Sequence, residues 1–130
     1  MPTTYRSPRS AAVEGMTTYL TPRNKDSAFA PPEDPDPNVI RGIRFAQILD
    51  GTSNTIAVVE VNDDNAVTWT KPDDYEYGDE DPLVAMRNTW RQVFLAAMCD
   101  GSVQSFPITM GADVLKALFT RNGGEVVQLP

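Results

Sequence analysis

The stretch "RQVFLAAMCDGSVQSFPI" (residues 91–108) constrains this chain more than any other. An apolar run meets Asp100-Gly101. After it, Val103, Ser105 and Pro107 alternate with Gln104, Phe106 and Ile108. Asp-Gly between two strand-like runs is the strongest short-range hairpin signal, because a type I′ turn needs positive φ at both central residues. Strands joined by so short a turn are antiparallel. The pattern predicts an antiparallel sheet with Asp100-Gly101 as one of its turns.

A second stretch, "ILDGTSNTIAVVEV" (48–61), poses a question of function. A polar knot, residues 50–55, runs straight into a β-branched apolar run. "NTIAVVEV" (54–61) fits a central strand covered on both faces, with Glu60 at its emerging end. The hydroxyls of Thr52, Ser53 and Thr55 with Asp50 invite a phosphate or cation reading. A phosphate cradle needs more glycine, a lysine and a helix start just after, none of which follows here. The preferred reading is a turn. Asp50 and Asn54 bond nearby backbone donors, and Gly51 takes the strained backbone position.

Other segments read more simply. Residues 1–15 form an extended lead-in, and "GMTTYL" (15–20) is a short strand. Residues 21–38 hold five prolines and form a long loop, pinned by Phe29. "VIRGIRFAQIL" (39–49) reads as strand or extended chain. Residues 62–82 are an acidic loop with one extended piece, "AVTWT", and 83–90 is one helical turn or a linker. "TMGADVLKALFTRNGG" (109–124) places Val114, Leu115, Leu118 and Phe119 on one helical stripe. Thr109 is its N-cap, Arg121 suits its C-terminal dipole, and Gly123 takes the left-handed C′ position. "EVVQL" leaves as a short strand or tail. The fold class is α+β: an antiparallel β-sheet with one main C-terminal helix and long Pro-rich and acidic loops. One domain spans 1–130, with lead-in 1–15, Pro-rich loop 21–38 and main core 39–127.

Composition narrows function by exclusion. The net charge of −7 opposes nucleic acid and anionic membrane surfaces. There is no histidine, which removes Ser-His-Asp and Cys-His catalysis and most zinc sites. The lone cysteine, Cys99, permits no internal disulfide and has no basic neighbour in sequence to activate it. No apolar run is long enough to span a membrane, and "MPTTYRSPRS" has no signal-peptide core.

Four pieces, "QILDGTSNTIAVVEV" (47–61), "AVTWTKPDDY" (66–75), "CDGSVQSF" (99–106) and "ALFTRNGGEVV" (117–127), together resemble the DUF1559 (SBP_bac_10-like) family of planctomycete bacteria. The resemblance is clear over about 40–127 and weaker at the start. Its members look like pseudopilins, anchored by a prepilin-type helix with a globular head outside the cytoplasm. The resemblance therefore implies the C-terminal part of such a head, an extracytoplasmic or cell-surface location, and no prepilin helix in this chain. Members also tend to carry a histidine ten residues before the Asp of the Asp-Gly turn. Trp90 stands there instead.

The remaining candidates lie in and around the acidic loop. Asn62, Asp63, Asp64, Asn65, Asp73, Asp74, Glu76, Asp79, Glu80 and Asp81 offer oxygen ligands of the kind calcium takes. Asp63, Asp64, Asp79 and Asp81 are the set assigned to that ion, although the spacing is not an EF-hand's. Trp69, Tyr75, Tyr77 and Trp90 cluster near the same loop, and Trp69, Tyr75 and Trp90 are candidate ligand-binding residues. The same aromatics serve equally as a hydrophobic rim. Asp50, Gly51, Asn54, Asp100, Gly101 and Gly123 are assigned as structural turns. No catalytic residue and no cofactor other than possible calcium is assigned, and a carboxylate-pair hydrolase is the least favoured class. The expected function is a non-enzymatic structural or protein-interaction module, working through protein partners or self-assembly. The alternative is a small-ligand, carbohydrate or calcium-binding module built from 62–82.

Overall fold

In the computed structural model, residues 1–30, 36, 38, 42–71, 73–77, 80–87 and 92–123 are described. The main sheet has four strands in the order β2-β4-β7-β8: β2 (Tyr19–Leu20), β4 (Ile56–Glu60), β7 (Val93–Met98) and β8 (Val103–Pro107). Every pairing within it is antiparallel. Two small ladders flank it. β1 (Met16–Thr17) pairs antiparallel with β5 (Val67–Thr68), and β3 (Pro22–Arg23) pairs parallel with β6 (Tyr75–Glu76). One helix, α1 (Ala112–Phe119), lies against β4 and a short 3-10 helix at Pro82–Met86. The α+β class expected from the hairpin and the helical stripe is the observed one.

The core lies between one face of this sheet and α1. Along β7 every second residue is buried, and Phe94, Ala96 and Met98 face inward. Phe106 stands opposite Phe94, and their rings lie 5.7 Å apart. Leu115, Leu118 and Phe119 close the core from the helix side. Full burial of each phenylalanine contributes about 2 to 3 kcal/mol. β4 departs from strict alternation. Ile56 opposes Met98 and Val59 opposes Ala96, with a register shift between Ile56 and Val58. This bulge puts two residues three apart on the core face. The strand was expected to be covered on both sides, yet Ala57, Val58 and Glu60 are only half-buried.

Several expectations are corrected. Residues 45–47 form a 3-10 turn, not a strand, and Phe45 is 73% and Leu49 75% exposed. The turn is held by the Arg44 N–H donating to Gln47 Oε1 at 2.8 Å, a local bond that competes with strand pairing. Phe29 is exposed, and the loop is pinned instead by buried Ser27 and Ala28, with Ser27 bridged to Thr120. The first fifteen residues are not simply an extended lead-in. Thr3–Tyr5 is a 3-10 turn, and Ser7 is buried with its hydroxyl donating to Glu60 Oε1 at 2.5 Å.

The ends of α1 also differ. Gly111 is its N-cap rather than Thr109, and Thr120 its C-cap, so Gly123 lies beyond the C′ position. The Asp-Gly hairpin is present, but its turn is longer than a type I′. Gly101 N–H donates to Met98 C=O at 3.0 Å and Met98 N–H to Ser102 C=O at 2.8 Å. Residues 99–101 form a three-residue loop with Gly101 at φ +87°.

The expected tail strand "EVVQL", Trp90 and Asp79 lie outside the described residues.

Candidate functional site

The two Asp-Gly corners meet at one end of the sheet. Asp100 N–H donates to Thr52 C=O at 3.0 Å, and Cys99 N–H to Thr55 C=O at 2.9 Å. Within the first corner, Gly51 has φ +92°. Asn54 Nδ2 donates to Asp50 C=O at 3.1 Å, and Thr55 Oγ1 to Gly51 C=O at 3.1 Å. Thr55 is fully buried. The Asp50 carboxylate was expected to bond a local donor. It accepts from the distant Gly123 N–H at 2.9 Å, while Asp50 N–H donates to Arg121 C=O at 2.9 Å. Arg121 continues the junction. Its N–H donates to Asp26 C=O at 2.8 Å, and its Nη1 to the carbonyls of Lys25 and Ser27 at 2.8 and 2.9 Å. The polar knot thus joins β4, the hairpin, the helix end and the loop at 24–28.

Around the second corner, Asp100 Oδ1 accepts from Ser102 Oγ at 2.6 Å and Ser102 N–H at 2.9 Å. These bonds, the side-chain one foremost, hold the Asp100 carboxyl below its ordinary range. Burial pushes the Cys99 thiol up, and Asp100 adds to the effect. A raised thiol pKa opposes nucleophilic use.

The acidic loop folds around Asn62, which is 6% exposed. Asn62 Nδ2 donates to Arg87 C=O at 2.7 Å and Val84 C=O at 3.3 Å. Its Oδ1 accepts from Asn65 N–H at 3.2 Å and Asn65 Nδ2 at 2.6 Å. The amide therefore clasps two ends of the loop, a role that sequence reasoning, which counted Asn62 as an oxygen ligand, did not find.

The carboxylates assigned to calcium are placed apart in function. Asp63 accepts from Ser10 Oγ at 2.6 Å and Ala11 N–H at 2.8 Å, tying down the N-terminal segment. Asp64 sits beside it in the Asp63–Asn65 turn. Asp81 caps the Pro82–Met86 helix through Leu83 N–H at 3.0 Å and meets Arg87 at 2.6 Å. Among the described residues no three acidic or cysteine side chains gather as a metal-binding group.

Tyr75 lines two hollows. One, about 490 Å³, is bounded by Leu20, Arg23, Asn65, Val67, Asp74 and Tyr75. The other, about 250 Å³, lies among Tyr75, Glu76, Tyr77, Glu80, Asp81 and Val84. Arg23 pairs with Asp74 at 3.1 Å at the edge of the larger one. Such partly exposed pairs contribute little to stability. Tyr75 donates its hydroxyl to Pro82 C=O at 2.8 Å and meets Phe119 in a T-shaped contact, with ring centroids 6.4 Å apart. Burial, then Asp81 and Glu80, raise its pKa.

Tyr77 also packs on Phe119, at 4.9 Å between centroids. The expected aromatic cluster is therefore divided: Tyr75 and Tyr77 join the core through Phe119, whereas Trp69 stacks on Tyr5 at 5.5 Å. Tyr5 went unnoticed in the sequence because it lies far from the acidic loop in the chain.

These observations define a mostly antiparallel α+β protein whose most distinctive polar motif is a junction of backbone segments. The chain belongs to the family described as "Protein of unknown function (DUF1559)", SBP_bac_10, whose model matches residues 2–92. That span takes in the N-terminal segment, where the resemblance was weaker, and stops short of the hairpin corner and α1. No curated protein and no solved structure matches the chain. Among the described residues no helix is long and apolar enough to cross a membrane.

Proposed function

We propose that this chain is a non-enzymatic interaction module, resembling the extracytoplasmic head of a pseudopilin-like surface protein. One observation carries the reading. Two of the polar groups that look reactive in sequence, Asp50 and Thr55, are engaged in bonds within the chain, while large apolar side chains beside that same junction face solvent. Asp50 bonds Gly123, and Thr55 bonds Gly51. Phe45 and Leu49 lie exposed just before Asp50, and Phe29 just after the Ser27 carbonyl held by Arg121. Exposed apolar groups beside a rigid junction suit contact with another protein. Capture of envelope proteins by the wild type, compared with a Phe45→Ser, Leu49→Ser variant, tests it. Loss of a saturable partner in the variant, at unchanged melting temperature, is expected. A wild type that captures nothing overturns the reading.

A second reading, ligand binding, is favoured by the stacked and solvent-facing pair Tyr5–Trp69 and by the acidic hollows beside Tyr75. Stacked aromatics suit sugar rings, and the carboxylates suit calcium. Calorimetric titration with calcium and a thermal-shift screen over sugars decide it. A melting temperature indifferent to all of them rejects it.

A further inference from the structure

β8 is the outer strand of the four-stranded sheet, and among the described residues no strand lies beyond it. Its ladder with β7 fixes which of its backbone groups are spare. Met98 N–H bonds Ser102 C=O and Ile108 N–H bonds Gln92 C=O, with Ala96 opposite Gln104 and Phe94 opposite Phe106. In an antiparallel ladder the bonded pairs alternate, so Gln104 and Phe106 turn their backbone groups to β7. Val103 and Ser105 turn theirs outward; Pro107 has no N–H to offer there, and its carbonyl already accepts from Met110 N–H at 3.1 Å.

Exposed edges are normally guarded by lysines, other charges, prolines or bulges. In a chain with 22% charged residues, β8 carries none, its one guard is Pro107 at the far end, and Val103 is 67% exposed. The spare groups also complement themselves about a two-fold axis through Ser105. Ser105 meets its own counterpart through two bonds, and each Val103 N–H faces the other Pro107 carbonyl, which keeps one lone pair beside its bond from Met110 N–H. The missing Pro107 N–H leaves only the Val103 carbonyls unmet, at the two ends of the ladder.

We propose that the outer edge of β8 pairs antiparallel with the same edge of a second copy of this chain, centred on Ser105. This deepens the interaction reading above and rests on it. The side chains of Val103 and of the other copy's Pro107 then share the sheet face away from the core. Two central backbone bonds, two outer ones shared at the Pro107 carbonyls and a small buried area make a weak dimer, on the order of tens of micromolar or weaker. Each copy carries a net charge of −7, so the dimer tightens as salt rises.

Light scattering over a concentration series of the full chain is expected to show a monomer–dimer equilibrium that salt strengthens. Ser105→Pro removes both central donors at a position where an edge strand tolerates proline, and weakens the dimer about tenfold or more. Val103→Lys supplies the missing guard and does the same. Independently of any variant, the amide signals of Val103 and Ser105 shift with concentration in the wild type. A monomer mass throughout, a dimer that salt weakens, or a dimer unmoved by both folded variants overturns the proposal. A monomeric wild type that still captures an envelope protein sinks the β8 pairing alone and leaves the interaction reading standing.

Discussion

The Asp50 carboxylate accepts a hydrogen bond from Gly123 N–H at 2.9 Å, across most of the chain's length. A bond to a charged acceptor is stronger than a neutral one, though solvent weakens it at the surface. Asp50→Ala is expected to destabilise the protein by about 1 to 2 kcal/mol. Urea unfolding measures it. An unchanged midpoint would show that the junction holds without this carboxylate.

Asn62 is the more demanding position. Its amide is buried and fully engaged with the carbonyls of Val84 and Arg87 and with Asn65. Asn62→Ala strands those groups and should cost about 3 kcal/mol. Asn62→Asp is expected to be worse, because it sets a carboxylate against two carbonyls. Denaturant midpoints for the pair give the comparison, with recovery of the aspartate variant at low pH as its signature.

Tyr77 carries a buried hydroxyl with no hydrogen-bond partner among the described residues, and burial pushes its pKa up to about 12. The folded state therefore holds this proton after the unfolded chain, with its ordinary value of 10.0, has lost it. The contribution to stability is complete below pH 10 and fades as pH rises toward 12. Tyr77→Phe is expected to be neutral or slightly stabilising at pH 7, and to lose less stability through that alkaline window. Thermal melts of both proteins across it provide the check.

Thr18 is buried, and its hydroxyl likewise lacks a partner among the described residues. Thr18→Val removes a desolvated polar group at nearly constant shape. A gain of about 1 kcal/mol in thermal or urea unfolding is expected. A loss would mean that the hydroxyl is satisfied by water.

Gly101 sits at φ +87° with open space where a Cβ would go. Gly101→Ala costs backbone strain without a clash, about 1 kcal/mol, and Gly101→Asn should cost less. The ordering of the three melting temperatures tests the turn geometry.

What could be read from the sequence was what local chemistry dictates. Asp100-Gly101 announced the hairpin, and the stripe of Leu115, Leu118 and Phe119 announced the helix, because each signal lies within a few residues. The Pro82–Met86 helix was also within reach, since Asp81 caps it just before a proline at its first turn. Residues 42–49 misled because their apolar pattern resembles a strand, yet no neighbour buries Phe45 or Leu49. The candidate site was less legible. Asp50 to Gly123, Asp63 to Ser10 and Trp69 to Tyr5 are contacts between segments far apart in the chain. No propensity or turn rule specifies such partners.

Arg121 gives the helix end a mechanical consequence. Its amide and guanidinium are held by one stretch of chain, at Asp26 and at Lys25 with Ser27, and its carbonyl by another, at Asp50. Fraying of the last turn therefore cannot proceed alone; it must release residues 24–28 and the strand entrance together. Deuterium uptake at the amides of Asp50, Arg121 and Gly123 should accordingly follow one common opening event, slower than that of an ordinary loose terminus.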